Sequence, residues 1–230
     1  LYSSAASDVY KRQILRCERS FIILGGGDRM ENTRERILET ALALFSKDGY
    51  AAVSVSTIAA KLGMTKGALY KHYRSKRDIF DQIVLRMERN DFERAKDFAL
   101  PENDWNAMPE AYAAAPLAQL LAFSRAQFRY WTEDTFASAF RRMLTIEQYS
   151  SAEMTALYQN YLGAGPLEYV EELLKSHGVS KAKEKALAFY APMYYLYSRV
   201  DAGMDAAEAY RQLDAHFESA YRQWMEESEA

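Results

Sequence analysis

Apolar positions in the chain recur with the period of a helix from about residue 30 onward. Ile37, Ala41, Leu44 and Phe45 fall at i, i+4, i+7 and i+8, one face of a helix opened by Met30. Asn32 with Glu35 three residues later makes a capping pair, and Gly49 stands where that helix should stop. Val55, Ile58, Ala59 and Leu62 form a second, shorter stripe, with Ser54 as its cap and Gly63 at its end. Thr65 can cap a third helix from 66 to about 73, and Ser75 a fourth from 76 to about 98. Further on, the spacing predicts helices over 117–131, 133–148, 152–162, 167–177, 181–202 and 206–227, with Thr132, Ser151, Ser180 and Asp205 at cap positions. No stretch alternates with period 2 and no hairpin signal occurs, so the expected class is all-α.

The pattern divides the chain into three. Residues 1–29 lack both the apolar core and the cleavage site of a secretory signal. Their opening Leu-Tyr-Ser-Ser-Ala-Ala-Ser-Asp-Val-Tyr-Lys-Arg-Gln reads as translated sequencing adapter, which makes them a non-native leader, the other reading being a basic arm. Residues 30–77 form a helical head and residues 78–230 a helical body.

Composition narrows the chemistry. Of the 230 residues 49% are hydrophobic, enough for a buried core. The apolar runs are far short of the roughly 20 residues that span a bilayer, so no membrane partner is expected. Cys17 is the one cysteine, and the three histidines lie far apart, so neither a disulfide framework nor a Cys- or His-based metal site is expected. An enzyme would need a nucleophile with its base, a metal cluster or a phosphate loop. No local motif supplies one, and Gly25-Gly26-Gly27 leads into no strand–loop–helix unit. No cofactor is expected.

The charge is segregated. A formal net charge of −3 conceals nine Lys and Arg against four acids in residues 30–77, and fifteen against twenty-five in residues 78–230. A net +5 head on a net −10 body is the distribution that binding to nucleic acid calls for, because neutralising phosphates releases counterions. Within the head, two capped helices flank the tight turn Gly63-Met64-Thr65, the pattern of a helix-turn-helix. On the third helix Leu69 and Tyr73 should pack inward, leaving Gly67, Tyr70 and Lys71 outward with Lys66 at the tip. Lys66 and Lys71 can donate to guanine edges, and Gly67 lets the helix approach the bases closely. Tyr70, His72 and Lys76, with Ser54 and Thr57 at the start of the second helix, can reach phosphates and fix register.

These residues also carry a resemblance. The stretch Thr-Arg-Glu-Arg-Ile-Leu-Glu-Thr-Ala-Leu-Ala-Leu-Phe-Ser-Lys-Asp-Gly-Tyr at 33–50 resembles the first helix of the tetracycline-repressor (TetR) family. Residues 54–80, with Lys-Gly-Ala-Leu-Tyr-Lys-His-Tyr followed by Arg-Ser-Lys, resemble its helix-turn-helix and the start of its fourth helix. The resemblance implies a homodimeric, cytoplasmic transcriptional regulator, usually a repressor, whose two heads enter successive major grooves of a palindromic double-stranded DNA operator. It places Lys66, Gly67 and Lys71 on bases and Thr57, Tyr70, His72 and Lys76 on phosphates. Tyr73 stands where phenylalanine is commoner.

In the body, residues 101–230 hold 12 Tyr, 6 Phe and 3 Trp. So many phenol hydroxyls suit a pocket between helices, where each can find a partner. Trp131, Phe136, Phe140, Met143, Tyr149, Tyr158, Tyr161 and Tyr190 are the candidate lining of a site for an unknown small-molecule effector, with Arg125, Arg129 or Glu147 as its charge. Ala186, Tyr190, Met193 and Tyr197 make a stripe on the ninth helix, and Leu213, Phe217 and Trp224 one on the last. Paired with their symmetry mates, these would form a four-helix dimer interface. Pro192 should kink the ninth helix. Effector binding would swing the fourth helix and spoil the spacing of the two heads. The alternative is a DNA-binding dimer with no small-molecule input.

Overall fold

The computed structural model describes residues 28–97 and 116–228. These form ten α-helices, and no strand occurs among the described residues. In the head, α1 spans Asp28–Asp48, α2 Val55–Lys61 and α3 Lys66–Leu69. Helix α4, Lys76–Asp97, leaves the head for the body. The body comprises α5 Leu117–Glu133, α6 Thr135–Glu147, α7 Ala152–Leu162, α8 Ala164–Ser176, α9 Ala182–Asp201 and α10 Ala206–Ser228.

Local chemistry explains most of these boundaries. The Thr57 amide donates to Ser54 Oγ, the Ala68 amide to Thr65 Oγ1 and the Met154 amide to Ser151 Oγ, so α2, α3 and α7 start on side-chain caps. Gly49 and Gly63 follow α1 and α2 with φ of +83° and +66°, a conformation in which a side chain would be strained.

Several expectations need correction. Helix α1 begins at Asp28, so Asn32 lies inside it and cannot form a capping pair with Glu35. It also takes in Asp28 and Arg29 from the segment assigned to a leader; the rest of that segment lies outside the described residues. The recognition helix is shorter than the expected 66–73. Beyond Leu69 the chain runs through tight turns, in which the Lys71 amide donates to Ala68 O and the His72 amide to Leu69 O. Helix α6 is capped by Asp134, not Thr132, whose hydroxyl turns back to Phe128 O within α5. Helix α8 starts three residues early, taking Pro166 into its first turn, where a missing N–H costs nothing. Lys181, at φ +51°, opens α9 in place of a Ser180 cap.

The core runs without a break from head to body. Phe45, Leu69 and Phe80 are buried in the head, and Phe128, Trp131 and Phe140 in the body. Helix α1 packs on both α4 and α6, so the head rests against the body and does not hang from α4 alone. The stripes expected to face a second copy line the chain's own core. Met193, Tyr197, Leu213, Phe217 and Trp224 are all buried, and Phe189 stacks on Phe217 with centroids 4.3 Å apart. These residues therefore join α9 to α10 within one chain. The outer face of α9 is apolar as well, with Leu187 at 57% and Tyr195 at 63% exposure and the exposed Ala191 between them.

Candidate nucleic-acid interface

The recognition helix is held from behind. Leu69 is fully buried, and Tyr73 is buried with its hydroxyl donating to Arg34 O at 3.1 Å. The Arg34 guanidinium lies over the Tyr73 ring at 4.6 Å, and its Nη1 donates to His72 O at 2.8 Å. One arginine of α1 thus fixes the turn that follows α3. Burial pushes the Tyr73 phenol up to about 12, against the opposing pull of Arg34. The hydroxyl therefore stays a donor at any physiological pH, which gives tyrosine a purpose at a position where phenylalanine would also fit.

In front, the side chains stand free of the core. Lys66, Gly67, Tyr70 and Lys71 are exposed, and His72 is half-buried. Lys66 Nζ lies 5.8 Å from the Tyr70 ring centroid, so a cation and a phenol share one face. A side chain at position 67 would meet little, the nearest atom being Thr65 Oγ1 at 4.0 Å. Ser54 and Thr57 are exposed, but their hydroxyls pair at 2.8 Å while Ser54 also caps α2.

Lys76 departs from its expected role. Its Nζ donates to Tyr50 O at 2.7 Å, Val53 O at 2.9 Å and Ala51 O at 3.3 Å, and lies 4.3 Å from the Tyr50 ring centroid. Three carbonyls use all three of its protons, so the ammonium stitches the α1–α2 loop to α4. Two exposed cations near α3 were missed. Lys61 ends α2, and Arg74 follows α3 with its side chain 92% exposed beside Asp78 at 3.5 Å. Their signal lay in the sequence, since both are basic residues flanking the helix-turn-helix.

The residues expected to line a pocket mostly pack on one another. Trp131, Phe136, Phe140, Met143, Tyr161 and Tyr190 are buried. Phe140 and Tyr161 meet edge to face at 5.0 Å, and Trp131 stacks near Phe140 at 6.3 Å. Tyr158 is half-buried, and Tyr149, at 88% exposure, lies outside any lining. The proposed charges are engaged elsewhere. Arg125 pairs with Asp214 at 2.5 Å and with Glu218, and Arg129 lies 3.9 Å from the Tyr210 ring centroid. Glu147 accepts from the Tyr50 amide. Two cavities, of about 270 and about 130 Å3, lie elsewhere, the larger between Leu117, His177 and Tyr221 and the smaller between Phe189, His216 and Trp224. Among the described residues no group of three or more His, Cys, Asp and Glu could hold a metal ion. No described helix is long and apolar enough to cross a membrane.

Comparison with known proteins agrees with this geometry. Residues 37–83, from α1 into α4, match the family of bacterial regulatory proteins, tetR family. The HTH-type transcriptional regulator AcrR of Shigella flexneri is 42% identical over 60 residues, which are 26% of this chain and 28% of that protein. An uncharacterised HTH-type regulator of Bacillus subtilis, YerO, is 45% identical over 47 residues, 20% of this chain and 16% of its own. The chain thus spans less than a third of the length of these two relatives. The fold extends further. A complex of SmeT with triclosan covers 84% of this chain and 91% of its own at a TM-score of 0.59 and 20% identity. A transcriptional regulator from Aquifex aeolicus covers 81% and 98% at 0.56 and 19%. The fold and the head define a helix-turn-helix protein with an all-helical body. The family match is carried by the head, and the likeness to the solved regulators carries the fold of the body.

Proposed function

We propose that the protein is a cytoplasmic, homodimeric transcriptional repressor that leaves a palindromic operator when its body takes up a small molecule. The observation that carries this reading is the two-sided α3. Along α3 and the turn after it, Leu69 and Tyr73 are buried, the Tyr73 hydroxyl donating to Arg34 O of α1, while Lys66, Gly67, Tyr70 and Lys71 are exposed. Lys66, Gly67 and Lys71 read base edges. Ser54, Thr57, Tyr70 and His72 hold phosphates, and Arg74 and Lys61 take the place first given to Lys76.

The second copy docks on the outer stripe of α9, Leu187–Ala191–Tyr195, which rises one turn at a time along one face. The relatives support the ligand-responsive part of the reading. SmeT is described as the repressor of a multidrug efflux pump in Stenotrophomonas maltophilia, and structures of SmeT with triclosan and of a Saccharomonospora viridis regulator with choline are known. A ligand that releases DNA must bind the DNA-incompetent form more tightly, and DNA must weaken that ligand by the same factor.

Selection of bound duplexes from a random library tests the reading. A two-fold symmetric consensus with half-sites about one helical turn apart is expected. An asymmetric consensus, or no enrichment, overturns it. Titrating the selected duplex complex with a compound that binds the body should release the DNA. Operator affinity that stays unchanged favours a dimer without small-molecule input.

A further inference from the structure

The larger cavity is built where three pieces of the body meet: the start of α5, the end of α8 and the last turns of α10. Pro116, Leu117, Ala118, Tyr221 and Met225 line it together with His177, around a volume of about 270 Å3. Among the described residues no Lys, Arg, Asp or Glu belongs to that lining. Lys175, two positions before the histidine, is paired with Glu171 and Glu172, each at 2.7 Å.

The His177 ring turns back on α8, and its partners fix where its hydrogen sits. Nδ1 lies 2.9 Å from Leu173 O and 3.3 Å from Ser176 Oγ. The Ser176 hydroxyl gives its single hydrogen to Leu173 O at 2.8 Å. A carbonyl cannot donate and this hydroxyl has no hydrogen left to give, so Nδ1 is the donor to both. In the neutral ring Nε2 then carries a bare lone pair. The described residues offer that nitrogen no donor.

The cavity thus presents one hydrogen-bond acceptor among apolar walls. Water could satisfy the lone pair but would leave Pro116, Leu117 and Met225 in contact with solvent. An aromatic ring covers those walls while a donor on it meets Nε2. An apolar cavity of about 150 Å3 holds benzene, so this one has room for two fused rings. An anion would set its charge against the lone pair, and a cation would find no carboxylate in the lining. From the cavity α5 runs on to Gln127 and Tyr130, which bond Arg94 and Asn90 of α4. A molecule at its start therefore touches an element tied to the helix that leads to the head.

We propose that this cavity takes the effector, and that the effector is a neutral phenol whose hydroxyl donates to His177 Nε2 while its ring packs on Leu117, Tyr221 and Met225. This proposal rests on the ligand-responsive reading above and gives that ligand a place and a chemistry.

Calorimetric titration of the full chain with a naphthol, its methyl ether and the naphthoate of the same ring tests it. The naphthol should bind about fivefold or more tightly than the ether, which keeps the ring but has no donor, and the naphthoate should be weakest. His177→Phe, which keeps a ring and removes the acceptor, should bring the naphthol down to the level of the ether. Ala118→Trp, at an exposed position of the lining, should fill the cavity and abolish binding of both. The parent's preference and Ala118→Trp carry the test should His177→Phe unfold early. Equal or tighter binding of the ether or the naphthoate overturns the proposal. So does a preference that survives His177→Phe, binding that survives Ala118→Trp, or no naphthol binding. Binding is read without DNA, so failure here leaves operator recognition standing. A protein that selects no operator would still show the preference.

Discussion

The Glu147 carboxylate, at the last turn of α6, accepts the backbone amide hydrogen of Tyr50 at 2.7 Å, across 97 residues of sequence. Glu147 is only 6% exposed, and the same Tyr50 gives its carbonyl to Lys76 Nζ. The α1–α2 corner of the head is therefore gripped on its N–H by the body and on its C=O by α4. A second grip lies close by, where Arg77 Nη1 and Nη2 meet Glu153 of α7 at 2.8 and 2.5 Å. Removing the first should cost about 1.5–3 kcal/mol, the range for a bond to a charged acceptor. Glu147→Ala is expected to lower stability by that amount in urea unfolding and Glu147→Gln by less, because the amide oxygen still accepts. Equal losses would mean that packing and not the hydrogen bond is at stake.

Tyr73→Phe deletes one hydroxyl and its bond to Arg34 O. The expected loss is about 1 kcal/mol in urea unfolding, with operator affinity falling because the turn after α3 loses a fixed point. A change below about 0.3 kcal/mol would show that the ring, not the hydroxyl, holds the helix.

The basic residues of the head should separate in salt titrations. Lys66→Ala is expected to relax sequence preference at one position. Arg74→Ala should weaken all duplexes alike and reduce the slope of log K against log salt by about 1. Lys76→Met should leave that slope unchanged and lower the melting temperature, since its ammonium is spent on three carbonyls. A slope change for Lys76→Met equal to that for Arg74→Ala would restore Lys76 to the phosphates.

Asp91 makes stability depend on pH, since burial of its Oδ1 pushes the carboxyl up. Its folded value of about 7 lies above the unfolded 3.8, so between these values the folded chain holds the extra proton. Stability should fall as pH rises through that window and level off above it, by at most about 4 kcal/mol at 1.36 kcal/mol per unit. Urea unfolding from pH 5 to pH 8 should show this decline in the parent protein and a flatter profile in Asp91→Asn. Parallel profiles would place the titration elsewhere.

Helix α9 offers a test of the assembly. Tyr195→Lys on its outer face should yield a folded monomer by sedimentation. Phe217→Ala, behind it, should cost about 3–5 kcal/mol of stability through the cavity it leaves. A dimer that survives Tyr195→Lys would move the interface off that stripe.

What could be read in advance follows from the range of the forces involved. Helix α2 was legible to within a residue because its cap, Ser54, and its stop, Gly63, act within a few positions. The end of α3 was not, because the turn after it is pinned by Arg34, 38 residues away. Thr132 and Asp134 are both cap-forming types, and sequence cannot say that Thr132 bonds backward into α5. Helix α9 is apolar on two sides, so its pattern could not tell the side facing α10 from the side facing out. In the head, the outward placement of Lys66, Gly67 and Lys71 followed from two inward residues on so short a helix. In the body, Tyr149 and Glu147 were misjudged because aromatic and acidic character says nothing of direction, and Asp91 was overlooked because it resembles any charged residue on a long polar helix.

The left-handed turn at Gly49 has a consequence for recombination between relatives. A Cβ at that position would sit 3.1 Å from Glu147 Oε1, so glycine and carboxylate fit as a matched pair across two regions of the chain. A reading head transplanted onto a foreign body would keep its caps and its α3 face, yet arrive with one amide seeking an acid that its new host need not supply. Hybrid regulators assembled at α4 should therefore succeed or fail on the residue at this corner, and restoring the acid should rescue those that fail.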